Sequence, residues 1–317
     1  MALPYDQVTA MTHALIEDSA ADNFFDSNPL FYWLKEKGQV IIDGGTHIQE
    51  PIVYDDVDAA GKFANYDLLD TTPNEQHTAA KADLKRYYAN VIISRHELLR
   101  ASGKEAVINL LDSKVQVGNM TMAQQISTDL HSANDDANLG ITGLRHILST
   151  STTYAGIAPA DASVWVAQQG SLAAPGTLTL RDMDELWENL TVGNDLPKMV
   201  ITNRRTLSKY KSLLVANQRF GEAEKVSGGF RAVMFNDAPV FADHNVDGSA
   251  GVADNWMYML NPSWIKLYIH RDDNFVSTPF PVTPNQDVVG SRLTATLQLC
   301  CNNRRLQGFF DDINPAL

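Results

Sequence analysis

The chain has 317 residues, 44% of them hydrophobic and 20% charged, which is the composition of a globular protein with a sizeable core in one large domain or two ordinary ones. Its net charge of -13 argues against a dedicated nucleic-acid binder, because phosphate contacts need a cationic face. No window approaches the roughly 18 apolar residues of a membrane span.

The N-terminal stretch MALPYDQVTAMTHALIEDSA has neither the basic region nor the long apolar run of a signal peptide. Residues 4 to 27 read as a short amphipathic helix and a polar linker. NPLFYWLKEKG follows, with Pro29 at a helix start, Leu30, Trp33 and Leu34 on one face, and Gly38 at the C-cap position. An element with so few apolar residues is expected to dock on something else.

Val40, Ile41, Ile42, Ile48, Ile52 and Val53 predict extended chain, broken at Gly44-Gly45. Residues 55 to 80 hold little core material, only the scattered Phe63, Tyr66, Leu68 and Leu69. Extended chain returns in LKRYYANVIISRHEL, with Tyr87, Ala89, Val91 and Ile93 on one side. Two strands joined by a long, thinly apolar excursion predict a projecting interaction arm.

From Lys104 to about His131 the pattern is helical, with Val107, Leu110, Leu111, Val117, Met122, Ile126 and Leu130 at one-face spacing and Gly118 as a weak point. About 28 residues make a rod near 42 Å long. SANDDANLG ends it. GLRHILSTSTTYAGI, from Gly143 to Ile157, reads as a linker after an apolar turn.

Farther on, TLRDMDELWENLTVG predicts a helix capped near Thr179 or Asp182 and closed at Gly193. PKMVITN reads as a short buried strand and RRTLSKYKSLLVAN as a helix. FRAVMFNDAPVFADHNV and NWMYMLNPSWIKLYIHR alternate like strands of an antiparallel sheet. RLTATLQLCCNNRRLQGFFDDI is a long extended segment. Strands and helices do not alternate strictly, so the class is α+β.

The chemistry is thin. HELLR, from His96, has Arg100 where a zincin needs its second histidine. Ser208 and Lys211 fit S-x-x-K without a clear K-T-G partner and lie on a basic helix face. Asp243, Asn245, Asp247, Gly248 and Asp254 resemble a calcium loop, but strand-like flanks favour a turn. Adjacent strand residues point oppositely, so Cys300 and Cys301 read as unbridged, buried thiols. Arg204, Arg205, Lys209 and Lys211, and again Arg304 and Arg305, read as solvated surface. No catalytic residue, cofactor site or metal site is assigned.

The order NPLFYWLKEKG, GGTHIQEPIVYDD, VIISRHELLRASGKEAVINLLDSKV, GLRHILSTSTTYAGI and LQLCCNNRRLQGFF resembles the major capsid proteins of tailed bacteriophages, which share the Hong Kong 97-type capsid fold. The resemblance implies an N-terminal arm (residues 1–45), an extended loop (46–84) and a peripheral domain (85–150) holding a spine helix over 103–131. It further implies a mainly axial domain (151–280) and a return to the peripheral domain over 281–317. Leu30, Trp33, Phe63, Tyr66, Leu68 and Leu69 would then contact neighbouring subunits.

The implied function is a non-enzymatic shell of pentamers and hexamers, assembled in the host cytoplasm, that encloses double-stranded DNA without reading its sequence. With no long charged segment before the arm, the resemblance implies a separate scaffolding protein, besides a portal. An encapsulin-type nanocompartment is the alternative on the same fold, and a hydrolase or metal-binding protein the alternative from another class.

Overall fold

The computed structural model describes residues 29–30, 33–34, 39–45, 47–54, 60–65, 67–69, 75–96, 104–173, 176–216, 233–246, 255–277 and 288–314. In chain order its strands are β1 (Gln39–Ile42), β2 (His47–Val53), β3 (His77–Asp83), β4 (Lys85–Ser94), β5 (Gln168–Gln169), β6 (Met199–Thr202), β7 (Val233–Phe235), β8 (Ala238–Ala242), β9 (Met257–Leu260), β10 (Ile265–His270), β11 (Val276–Ser277), β12 (Val288–Cys301) and β13 (Gly308–Phe310).

Three sheets organise these strands. The first runs β1-β10-β12-β11, with β4 also on β12. The β12–β4 pair is its axis, antiparallel from Val288↔Ser94 to Leu297↔Lys85. Tyr87, Val91 and Ile93 of β4 turn inward as their alternation predicts.

Across this pair lies the long helix Lys104–His131. It buries Val115, Asn119, Met122, Ala123, Ile126, Ser127, Leu130 and His131, a stripe repeating at three- and four-residue steps. Val117 was expected on this face and is instead 59% exposed. At 100° per residue it stands about 200° from Val115, on the opposite side. Gly118 is a close-packing point: a Cβ there would come within 2.9 Å of Val91 Cγ2 and 3.4 Å of Leu293 Cδ1. The side chains of Val107, Leu110 and Leu111 lie outside the described residues.

The second sheet runs β5-β13-β9-β6-β8-β7. Helix Leu180–Leu190 packs Met183, Leu186, Trp187 and Leu190 into the same cluster as Val200, Val240, Met259 and Phe310. Its capping box joins Thr179 and Asp182 as the sequence predicts. Helix Arg204–Ala216 adds Leu207 and Tyr210 to that cluster. Asn236 and Asp237 have φ of 43° and 65°, as a two-residue hairpin turn between β7 and β8 requires.

FRAVMFNDAPVFADHNV and NWMYMLNPSWIKLYIHR form strands with antiparallel partners, as expected, but the second segment divides between two sheets. β9 lies in the second sheet and β10 in the first. Pro262 lacks an N–H and opens the short 3₁₀ turn Pro262–Trp264 that carries the chain across. The fully buried Gln307 amide clasps the departure point: the Asn261 N–H donates to its Oε1 (2.8 Å), and its Nε2 donates to the Asn261 carbonyl (3.0 Å). The chain therefore passes from the second sheet to the first at residue 261, and β13 rejoins the second sheet.

The segment from Gly143 to Ile157 is firmly held, not a loose connection. Leu144–Ile147 is a short helix with Leu144 and Ile147 fully buried. A Cβ on Gly143 would fall 2.0 Å from the Ser132 carbonyl oxygen. Arg304 was expected at the surface and is 0% exposed. Its guanidinium donates to the carbonyls of Ile147 and Ser149 and lies 5.4 Å from the centre of the Tyr154 ring. The Tyr154 hydroxyl in turn accepts from the Cys301 N–H at 2.9 Å.

Candidate assembly surface

The third sheet is the two-stranded hairpin β2–β3, in register from His47↔Asp83 to Val53↔His77. Alternation turns Ile48, Glu50 and Ile52 inward opposite Ala80 and Ala82. The root is anchored on the first sheet, where Ile48 and Ala82 pack with Tyr268 and Cys300. The Tyr268 hydroxyl donates to the Glu50 carboxylate, with Lys266 Nζ 4.0 Å away. Burial and that carboxylate raise the Tyr268 pKa, so the phenol stays a donor. Lys81 N donates to the Ala155 carbonyl at 3.1 Å, tying the hairpin to the segment after the spine.

Beyond the root the hairpin projects apolar side chains into solvent. Phe63 is 70%, Leu68 101% and Leu69 64% exposed. Among the described residues there is a turn in which Asp67 Oδ2 accepts from Ala64 N at 2.7 Å and Asp67 N donates to the Ala64 carbonyl. Burying such side chains is worth roughly 1.5–3 kcal/mol each, so an exposed trio is a source of binding energy. Tyr66, the fourth expected contact, lies outside the described residues.

Leu30 and Trp33 do not share this exposure. At 1% and 7% exposed they belong to the subunit's own main core, together with Leu34. Within the single chain their apolar face is covered by the subunit's own core.

A second exposed apolar stripe escaped the sequence reading. Tyr88 and Ile92, on the outward face of β4, are 66% and 55% exposed; Val117 and Met120, on the outward side of the spine helix, are 59% and 63% exposed. The available signal was that apolar residues occupy both faces of 87–93, more than one buried face requires.

The groups considered for chemistry are occupied elsewhere. Asp243 is buried, its carboxylate facing His131 and accepting from Asn245 N at 2.9 Å. Residues 247–254, with the rest of the calcium-loop pattern, lie outside the described residues, as does Arg100. Ser208 and Lys211 are exposed on their helix. Among the described residues no three His, Cys, Asp or Glu converge as metal ligands. Cys300 and Cys301 are free, buried and in separate clusters, as opposite-facing neighbours must be. Burial pushes the Cys301 thiol up to about 12 and raises Cys300 as well, so both remain thiols.

No family model matches the sequence, and no curated protein does. Solved structures do match. The capsid of a native GTA particle aligns with a TM-score of 0.64 at 13% identity, covering 91% of this chain and 90% of that one. The SrpI encapsulin complex from Synechococcus elongatus PCC 7942 aligns at 0.61 and 11% identity, covering 90% and 88%. The capsid of cyanophage A-1(L) aligns at 0.59 and 17% identity, covering 86% and 89%.

These likenesses define the class: the chain has the Hong Kong 97-type fold shared by phage capsids and encapsulins. The two elements that the sequence reading expected as an extended loop and a spine helix are, in this chain, the β2–β3 hairpin and the helix Lys104–His131.

Proposed function

We propose that this chain is the major capsid protein of a tailed bacteriophage, a non-catalytic subunit that assembles into an icosahedral shell around double-stranded DNA. The observation that carries the reading is the hairpin: in a fold shared with shell proteins, its root is packed on its own subunit while Phe63, Leu68 and Leu69 stand exposed. Such an arm gains its burial only on a neighbour, and closed symmetry multiplies each modest contact around the shell.

The rest follows from that role. Subunits form pentamers and hexamers, a scaffolding protein and a portal guide assembly in the host cytoplasm, and the product is the virion capsid. The net charge of -13 suits a wall that repels packed DNA and binds none of its sequence. In this reading the chain divides into an arm, an extended loop, a peripheral domain and an axial domain.

A nanocompartment shell is the second reading, supported by the encapsulin likeness over 90% of the chain. Negative-stain microscopy of the purified protein is the test, with nuclease treatment of the particles. Closed shells containing nuclease-protected DNA are expected. Shells filled with protein and free of DNA would favour the nanocompartment, and a chain that stays monomeric at all concentrations would end both readings.

A further inference from the structure

The hairpin root leaves a small gap where it meets the first sheet. The space open to the centre of a water there is about 10 Å³, close to the least that holds one. Ile48, Glu50 and Ala80 of the hairpin, Tyr154 of the segment after the spine, and Cys301 and Asn302 at the end of β12 are among its walls. Three separate stretches of chain therefore meet around one water-sized hole.

Polar groups in those walls keep hydrogen-bonding capacity that nothing fills. Glu50 is 8% exposed, and its Oε1 accepts from the Tyr268 hydroxyl. Its Oε2 is buried and has no partner. Asn302 Oδ1 is likewise buried without a partner. Tyr154 is 1% exposed; its hydroxyl accepts from the Cys301 N–H, and among the described residues nothing accepts the hydroxyl's own proton. Burial raises the Tyr154 pKa, so that proton stays in place. Buried groups left in this condition lose their hydration with no return, which native interiors rarely tolerate.

The three needs have one complement: two hydrogen-bond donors and one acceptor. A water carries both, and three bonds are the usual number for a buried water. An ammonium or a metal ion has no lone pair to offer the Tyr154 proton, and hard cations take about six oxygens or more. The Glu50 charge also has a cation in reach already, Lys266 Nζ at 4.0 Å from Oε1.

We propose that this gap binds a single structural water, which donates to Glu50 Oε2 and Asn302 Oδ1 and accepts from the Tyr154 hydroxyl. The water joins the hairpin both to the segment after the spine and to the end of β12. The element that carries Phe63, Leu68 and Leu69 into solvent is thereby held at its root by a polar bridge as well as by packing. The assignment does not depend on whether the chain forms a shell.

The first test is density for the unsubstituted full-length chain, in crystals or in particles, at a resolution that shows ordered water. One peak within hydrogen-bonding distance of Glu50 Oε2, Asn302 Oδ1 and Tyr154 Oη is expected. An empty gap, or an Asn302 amide turned so that Nδ2 donates straight to Glu50, would overturn the proposal. The second test is thermal unfolding. Ala80 lies directly across from Glu50 in the hairpin register, and valine and threonine there fill the gap with nearly equal volumes. Ala80→Val expels the water and replaces none of its bonds, so Tm should fall by roughly 4 °C. Ala80→Thr offers Glu50 a hydroxyl in the water's place and should stay within about 1 °C of the parent. A valine chain as stable as the parent would mean a dry gap, and an equal fall in both chains would mean crowding alone; either outcome sinks the water. Exchanging the buffer's sodium for choline, too large for the gap, should leave Tm unchanged. A drop would put a metal ion at the site and overturn the assignment.

Discussion

His131 Nε2 lies 3.3 Å from a carboxylate oxygen of Asp243, with the two side chains 1% and 2% exposed. The pair connects the last residue of the spine helix to the residue after β8, and so ties the first sheet's helix to the second sheet. The His131 ring also stacks on Tyr258 of β9, ring centres 6.2 Å apart. Removing one partner of a buried hydrogen bond to a charged group leaves the other unsatisfied, at about 1.5–3 kcal/mol. Asp243→Ala is therefore expected to destabilise the subunit by roughly that amount at neutral pH, read from urea unfolding.

The same pair predicts a pH dependence. Burial raises the Asp243 pKa, but the His131 hydrogen bond and charge, the Asn245 N–H and the nearby His244 charge outweigh it, and the net value is lowered. A carboxylate with a depressed folded pKa contributes stability that is present above its unfolded value, about 3.9, and is lost as pH falls through the folded value. The gap in melting temperature between the parent chain and Asp243→Asn should thus be widest near neutrality and close below about pH 4. A gap that stays constant from pH 7 to 3 would remove Asp243 from the acid response.

Arg304 makes a different kind of junction. Its guanidinium has carbonyl partners at Ile147 and Ser149, so its planar fork matters more than its charge. Lysine offers a point charge and cannot reproduce two directed bonds. Arg304→Lys is expected to cost about 1.5–3 kcal/mol for a lost charge-assisted bond in the interior. Equal stability of the two chains in denaturant titration would mean that the fork is dispensable.

Gly143 tests how tightly the spine's end is packed. An added Cβ would sit 2.0 Å from Ser132 O and 2.6 Å from its carbonyl carbon, contacts with backbone that cannot swing aside. Gly143→Ala is expected to cost more than about 2 kcal/mol, in line with overpacking. Gly193, with φ of 62° and nothing within 4 Å of its added Cβ, is the control: alanine there meets only backbone strain of about 1 kcal/mol.

Much of the architecture was legible because local signals and tertiary needs agreed. Thr179, Asp182 and Gly193 bracketed a helix, and the inward alternation of Tyr87, Val91 and Ile93 marked β4. What failed to show was orientation between elements. Val117 carries a core residue's identity on an outward position, and Arg304 carries a surface residue's identity inside, because the carbonyls that satisfy it are some 155 residues earlier in the chain. Leu30 and Trp33 have the pattern of a docking face, but periodicity cannot say whether the dock belongs to the same subunit. The hairpin tip was recognised by what it lacks, a core of its own, and that signal survives whatever surface eventually covers it.

That hairpin supplies the sharpest contrast between folding and assembly. Leu68 and Leu69 are exposed in the single subunit, so Leu68→Asp with Leu69→Asp should leave unfolding free energy within about 0.5 kcal/mol of the parent, as surface substitutions do. In a shell the same two charges would be carried into an apolar contact, where an unpaired buried charge costs several kcal/mol. The double variant is therefore expected to give folded subunits and no closed particles. Leu30→Asp is its counterpart: the side chain is 1% exposed within the subunit, so a charge there should unfold the chain before assembly is at issue. Circular dichroism, thermal unfolding and particle yield, measured on all three chains, separate the cases. Normal shells from the Leu68/Leu69 variant would show that the hairpin tip carries no essential contact, and a stable Leu30→Asp subunit would show that the Pro29–Leu34 turn is an exchangeable arm and not part of the core.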